Sequence, residues 1–252
     1  MKNKFSNIWA SYFKKKKATF VDSGSTAIFE ALKLLKSKKV IIPTYTCHRV
    51  LNSTLKAKCT PIIVDCDLSL QIDLSQIKEI NADTIIVPHM FGIQSNVKKI
   101  KELNKFKIIE DCSQCIGLPE LGTYADIVIA STGPSKWISV GINKDQGGGI
   151  IAYDKGDIKW WDEPTFIHKA NMLNLEIENK LKIRTEKAKE IIKAGVNLIG
   201  KDMPNSWLRA VYIGDTLRKR ECYTPLHDLY GSFDCPKTDS YKDYIDWISI
   251  FD

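Results

Sequence analysis

Asp111 follows Glu110 and stands three positions before Gln114; Ser131 comes next along the chain, and Lys136 five residues beyond it. Upstream, Ser23-Gly24-Ser25-Thr26 opens a helical pattern. Each of these groups has a plain reading beside a chemical one. Glycine and hydroxyls at a helix start serve equally as an N-cap or as an anion site. A strand-end aspartate often caps whatever follows it, and a lysine beside Trp137 can be a surface residue of a loop. The glycine-rich segment 141–149 matches neither GxGxxG nor a P-loop, so no nucleotide phosphate is expected there. Cys112 and Cys115 form a CxxC, the spacing of a redox pair or of half a zinc site. Cys222 and Cys235 lie thirteen positions apart, the wrong spacing to complete a zinc ribbon. Ordinary packing, with no metal, is therefore expected.

Residues that do chemistry need elements to hold them. Through residue 155 the apolar pattern alternates between helical and strand periods. The spacing predicts helices over 25–37, 47–57, 74–80 and 97–104. It predicts strands over 40–42, 61–64, 84–87, 107–109, 126–130 and 149–152. Short, continuously apolar, β-branched strands between helices imply an α/β fold, a mostly parallel central sheet with helices on both faces. Such sheets bind ligands at the carboxyl ends of their strands. Thr44, His89, Glu110-Asp111 and Ser131 all fall at those ends, and this shared placement carries more weight than any one residue. After residue 155 the alternation stops. Residues 173–194 read as a long charged helix with Leu173, Ile177, Leu181, Ala188, Ile191 and Ile192 as its apolar stripe. Residues 207–213 read as a strand, and the remainder is aromatic and turn-rich. The chain thus divides into a large domain, 1–155, and a small, shortened C-terminal lobe, 156–252.

At 252 residues and 28.6 kDa the chain has room for one large domain and an appendage. Its apolar and charged fractions, 44% and 27%, exclude a disordered or fibrous protein. No apolar run approaches the roughly 20 residues of a membrane span, and the N-terminus lacks the continuous apolar stretch of a secretory signal. Seven cysteines, an odd number, read as reduced thiols of a cytoplasmic protein. The formal charge of +7 is concentrated in residues 1–39, where ten lysines face only Asp22 and Glu30, a surplus of eight that leaves −1 for the rest. The lysine run 14–17 beside Tyr12 and Phe13 could form a nucleic-acid footprint. No nucleic-acid motif accompanies it, so a solvated lysine-rich face is expected instead.

Taken together, five segments resemble the DegT-type sugar aminotransferase family of fold-type-I pyridoxal phosphate enzymes. They are DSGSTAIFEAL (22–32), the stretch 40–67, IIVPHMFG (85–92), IIEDCSQCIG (108–117) and STGPSKWISVGINKDQGGGIIAYD (131–154). The resemblance implies pyridoxal 5′-phosphate as cofactor. Lys136 matches the lysine that holds it as a Schiff base; only a primary amine forms and exchanges imines, and once freed the same amine can move a proton. Asp111 matches the aspartate that keeps the pyridine nitrogen protonated, so Lys136 and Asp111 are the expected catalytic residues. Gln114 matches a residue beside the ring. Ser25, Thr26 and Ser131 match phosphate ligands, a role that suits hydroxyls at a helix N-terminus. His89 lies in a family-typical stretch, with either a direct role or a structural hydrogen bond.

The activity implied by the resemblance is ping-pong transamination by a homodimer. An amino donor, glutamate by analogy, would serve a keto acceptor such as a nucleotide-linked keto sugar. A pyridoxal phosphate-dependent dehydratase and a decayed scaffold with a binding or regulatory role are the alternatives. Lys136 speaks against the first, and the retained set of Asp111, Gln114, Ser131 and Lys136 against the second. The chain departs from the family in being shorter. Cys47 stands where an aromatic stacks on the cofactor ring, unless Tyr45 serves instead, and Leu173 replaces an arginine of a segment that reaches into the partner subunit's site.

Overall fold

The β-branched runs do form the sheet. The computed structural model describes residues 3–133, 136–137, 148–159, 176–214, 225–226, 235–240 and 242–248. Strands β1 (Lys17–Val21), β2 (Lys39–Pro43), β3 (Thr60–Val64), β4 (Thr84–Pro88), β5 (Lys107–Asp111), β6 (Ile127–Ser131) and β7 (Gly149–Tyr153) build one sheet in the order β1-β7-β6-β5-β4-β2-β3. β3, β2, β4, β5 and β6 run parallel. β7 is antiparallel to both of its neighbours, β6 and β1, so it alone runs against the rest.

Side chains alternate across the sheet, and each face buries its own set. Ile41, Ile85, Val87, Ile108 and Val128 pack with Trp9 and Phe13, at the end of α1 (Asn3–Tyr12), and with Val97 and Ile100 of α5 (Val97–Glu102). Ile42, Ile86, Ile109 and Ile129 pack against α2 (Gly24–Leu35) and α3 (His48–Lys56) through Ala27, Ile28, Leu32, Val50 and Leu51. A short helix, α4 (Leu74–Ile77), follows β3. Helices cover both faces, as the sequence implies.

Several boundaries differ from expectation for identifiable reasons. β5 runs two residues farther, because Glu110 and Asp111 are paired with β4 and β6 on both sides; interior pairing overrides the low strand preference of carboxylates. α5 stops early, and Asn104 behind it takes φ +49°. α1 and β1 carry no strong periodic signal in the lysine-rich start. The expected solvated lysine face is present at Lys14, Lys16 and Lys17, which are exposed, and Lys15 is the exception. Lys15, its side chain only 5% exposed, donates to the carbonyls of Gly122 (2.8 Å) and Ala125 (2.6 Å), and Lys14 reaches the Thr123 hydroxyl at 2.7 Å. Gly122 has φ +80°, and a Cβ there would lie 1.9 Å from the Phe13 carbonyl oxygen, so only glycine lets this turn sit under the lysines.

Beyond residue 155 the described elements are α6 (Ile177–Lys193), β8 (Ala210–Ile213), α7 (Pro236–Asp239) and β9 (Ile245–Ile248), with β8 and β9 paired antiparallel. The strand expected from 207 begins later because Trp207 takes φ +53°; the predicted helix start at Leu173 lies outside the described residues. Among the described residues no helix is long and apolar enough to cross a membrane. Val211 and Ile245 pack with Tyr45, Met90 and Phe91, and Leu226 and Cys235 join the cluster under α2 and α3.

Asp65 fastens α7 to the end of β3. Fully buried, its Oδ1 accepts from the Thr238 N–H (2.9 Å) and hydroxyl (2.6 Å), and its Oδ2 from the Lys237 N–H (2.7 Å). Asp65→Ala strands those donors away from water at about 1–3 kcal/mol each, less whatever they regain on relaxing. We expect a net loss of about 3–4 kcal/mol in urea denaturation, with Asp65→Asn, which keeps one acceptor oxygen, losing less.

Candidate active site

The carboxyl ends of β1, β2, β4, β5 and β6 converge on one edge of the sheet, and a cavity of about 400 Å³ opens there. Ser25, Asp111, Gln114, Ser131 and Lys136 all line it.

One end of the cavity is shaped for an anion. β1 runs through Asp22 into Ser23, whose hydroxyl caps α2 by accepting the Thr26 N–H at 3.1 Å. Gly24 and Ser25, the first helical residues, make no N–H bond among the described residues. A Cβ on Gly24 would come 2.7 Å from the Cβ of Ser131. Glycine therefore lets the positive end of α2 come up to Ser131, and Ser25 and Ser131 line the same cavity, a set that favours a bound anion. Thr26 does not line the cavity. Its hydroxyl accepts from that of Ser23 at 3.1 Å.

Asp111 ends β5 on the face that carries α2 and α3. Its Oδ1 accepts the Ser113 N–H at 2.9 Å, and its Oδ2 has no hydrogen bond among the described residues. The Ser113 hydroxyl in turn accepts the Ser131 N–H at 2.8 Å, tying the ends of β5 and β6 together. Gln114 Oε1 accepts the Phe91 N–H at 2.8 Å, fixing the amide against the loop after β4. Lys136 is half-buried; its N–H donates to the Gly133 carbonyl at 3.0 Å, while its amine makes no hydrogen bond or ion pair among the described residues. An amine and a carboxylate oxygen with no partner among the described residues thus share one cavity with two hydroxyls and an amide.

Glu110, one residue before Asp111, faces the other side of the sheet. It receives the Gly122 N–H at 2.8 Å and lies 2.9 Å from His89 Nε2. His89 Nδ1 accepts the Ser95 N–H at 2.9 Å, so the ring proton sits on Nε2 and points at Glu110. His89 borders the cavity, but both its nitrogens serve the scaffold. The buried thiols of Cys112 and Cys115 lie with His89 inside a 4.8 Å cluster. Burial pushes both thiols up.

Tyr45 does not stand in for the missing aromatic. It is fully buried away from the cavity, its ring 6.2 Å from that of Phe91, whereas Cys47 lines the cavity itself. Two charged lining residues are given no role by the sequence reading, Asp22 and Arg49. A single charge beside a helix start carries no pattern that marks it.

Known proteins resemble this chain in sequence and in fold. Residues 1–159 match the DegT/DnrJ/EryC1/StrS aminotransferase family. The chain is 26% identical over 164 residues to the GDP-perosamine synthase of Vibrio cholerae, covering 60% of this chain and 44% of that protein. It is 34% identical over 142 residues to the 3-oxo-glucose-6-phosphate:glutamate aminotransferase of Bacillus subtilis (strain 168), covering 52% and 32%. The match therefore spans less than half the length of these curated relatives. The crystal structure of NtdA from Bacillus subtilis with bound cofactor PMP superposes with a TM-score of 0.75 at 20% identity, covering 97% of this chain and 71% of that one. At that identity the likeness bears on the fold.

Proposed function

The chain belongs to the DegT/DnrJ/EryC1/StrS aminotransferase family, and we propose that it is a pyridoxal 5′-phosphate-dependent aminotransferase with Lys136 and Asp111 as its catalytic residues. The observation that carries this reading is the single cavity in which a lysine amine and an aspartate oxygen, both without a hydrogen bond among the described residues, meet the Ser25–Ser131 anion cradle. The donor set fits the cofactor group by group: a cradle for its phosphate, a carboxylate for its ring nitrogen and an amine for its aldehyde carbon.

Pyridoxal phosphate, when bound, supplies an aldehyde that takes up an amino group and a ring that accepts the charge left by a departing proton. Ser25, Ser131 and the N–H groups of Gly24 and Ser25 bind the phosphate. Asp111 keeps a proton on the ring nitrogen, and the Ser113 N–H on Oδ1 holds its carboxylate in place. Gln114, pinned by the Phe91 N–H, would orient the ring. Lys136 would hold the cofactor through its amine, and the same amine, when free, would accept and return the proton. In this reading residues 1–155 hold the cofactor and 156–252 contribute to the substrate side. The donor is glutamate, the acceptor a keto sugar carried on a nucleotide, and the enzyme a cytoplasmic homodimer.

Cys47 leaves the ring without an aromatic neighbour from α3. Stacking contributes about 1 kcal/mol, so Cys47→Phe is expected to tighten cofactor binding roughly fivefold, measured as the Kd of pyridoxal phosphate by fluorescence titration.

The test of the function is the visible spectrum of the purified protein after loading with pyridoxal phosphate and removing the excess. A retained band that fades on adding glutamate supports both cofactor binding and the first half-reaction. A protein that keeps no band sinks the reading in favour of a decayed scaffold.

A further inference from the structure

Helix α6 carries a cation in its buried stripe. Ile177, Leu181, Arg184, Ala188 and Ile191 follow one another at helical spacing. Arg184 is only 7% exposed there, among apolar residues. Its guanidinium carbon lies 3.7 Å from the ring centroid of Trp137, within the range of a cation–π stack. Burial lowers the Arg184 pKa to about 9, so it remains a cation at neutral pH, held in a site that is expensive to charge.

Trp137 is the residue directly after Lys136, and it is itself 3% exposed. Its indole N–H donates to the Ser206 hydroxyl at 3.1 Å, and that hydroxyl donates to the Gln114 carbonyl at 3.1 Å. Ser206 is anchored in turn by its own N–H on the Gly92 carbonyl at 2.9 Å. Gly92 has φ +95°, and a Cβ there would meet the Ser206 hydroxyl at 2.5 Å, so this contact is close-packed. The tryptophan is therefore held by its face from α6 and by its edge from the segment before β8. Those two elements lie beyond the cofactor-binding half of the chain, and both grip the neighbour of Lys136, the one lysine that lines the cavity among the described residues.

We propose that Arg184 and Trp137 are positioning residues for Lys136: the stack on α6, relayed through Ser206 to Gln114, fixes where the lysine amine stands in the cavity. The proposal rests on the reading that Lys136 carries the cofactor. A Cα held on one side by a buried indole has little freedom to wander, and displacement of a reacting group by about 1 Å can cost up to 10²-fold in rate. An aliphatic residue would fill the stripe at less desolvation cost.

The test uses Arg184→Gln, Arg184→Lys and Trp137→Leu in the full-length protein. Competitive acetylation of the cofactor-free protein, read by mass spectrometry on the peptide bearing Lys136, reports the environment of the amine without any need for turnover. Exposed Lys180 on the same helix serves as internal control. Arg184→Gln and Trp137→Leu are expected to change Lys136 labelling at least threefold with Lys180 unchanged, and to speed loss of pyridoxal phosphate from loaded protein about tenfold. Arg184→Lys, which keeps the charge but not the planar stack, should fall between them and wild type and guards against a variant that fails to fold. Melting temperatures lowered with Lys136 labelling and cofactor release unchanged would reduce the stack to core packing and overturn the proposal. A wild-type protein that retains no pyridoxal phosphate would instead sink the functional reading, and the labelling comparison would still decide whether the stack positions the lysine.

Discussion

Lys136→Ala is expected to purify without the visible band and to lose transamination by at least about 10³-fold. Two contributions are removed at once. The amine that holds the cofactor covalently is gone, so only the Ser25–Ser131 cradle and Asp111 retain it, and dialysis should strip it. The group that moves the proton is gone as well, and positioned acid–base groups contribute about 10²–10⁴-fold on their own. The loss should be chemical and not structural. Lys136 is half-buried and its amine holds nothing among the described residues, so stability should stay within about 0.5 kcal/mol of wild type. Lys136→Arg separates charge from chemistry: a guanidinium keeps the positive charge but does not form an imine under these conditions. It should behave like alanine in the spectrum and in turnover. A Lys136→Ala protein that retains the band through dialysis would move the attachment point elsewhere and remove the central residue of the reading.

Which parts of this arrangement can be read from the sequence follows from how local their causes are. The sheet is legible because Val40–Ile42, Ile85–Val87 and Ile127–Ile129 are continuous β-branched runs, and such runs have few alternatives to a doubly covered strand. Asp111, Ser131 and Lys136 are legible because they sit at or just past strand ends at fixed spacing, and the structure brings them to one cavity. Causes that lie far apart in sequence are not legible. Nothing near Lys15 reveals that it will donate to Gly122 and Ala125, more than a hundred residues away. The direction of Tyr45 depends on Phe91 and on the packing of β8 and β9 behind it, so the choice between Tyr45 and Cys47 is settled only in the folded chain. Thr26 is a near miss of a different kind: the helix cap directs its N–H and hydroxyl to Ser23, and one residue of helical rotation separates it from Ser25. Arg184 interrupts an apolar stripe, and an interruption of that kind is visible in the sequence. Its partner, Trp137, is not.

Asp111→Asn should lower kcat by about 10²–10³-fold while leaving pyridoxal phosphate largely retained. The substitution preserves the shape of the side chain, and its carbonyl oxygen can still accept the Ser113 N–H that now holds Oδ1. What changes is the atom facing the cavity. A carboxylate oxygen accepts a proton shared with the ring nitrogen and stabilises the positive charge there; an amide nitrogen in the same place donates, and favours a ring without that proton. The ring then draws less charge from the reacting carbon, so the deficit appears in the proton-transfer step and in kcat rather than in KM. The phosphate cradle and the Lys136 anchor are untouched, and for that reason the visible band should survive. Asp111→Ala removes the Ser113 contact too, and the ends of β5 and β6 are tied through Ser113 to Ser131. It should therefore lose cofactor affinity in addition to rate. An Asn variant that turns over like wild type would mean that some other group holds the ring nitrogen's proton, and Asp111 would revert to a strand-end cap for Ser113.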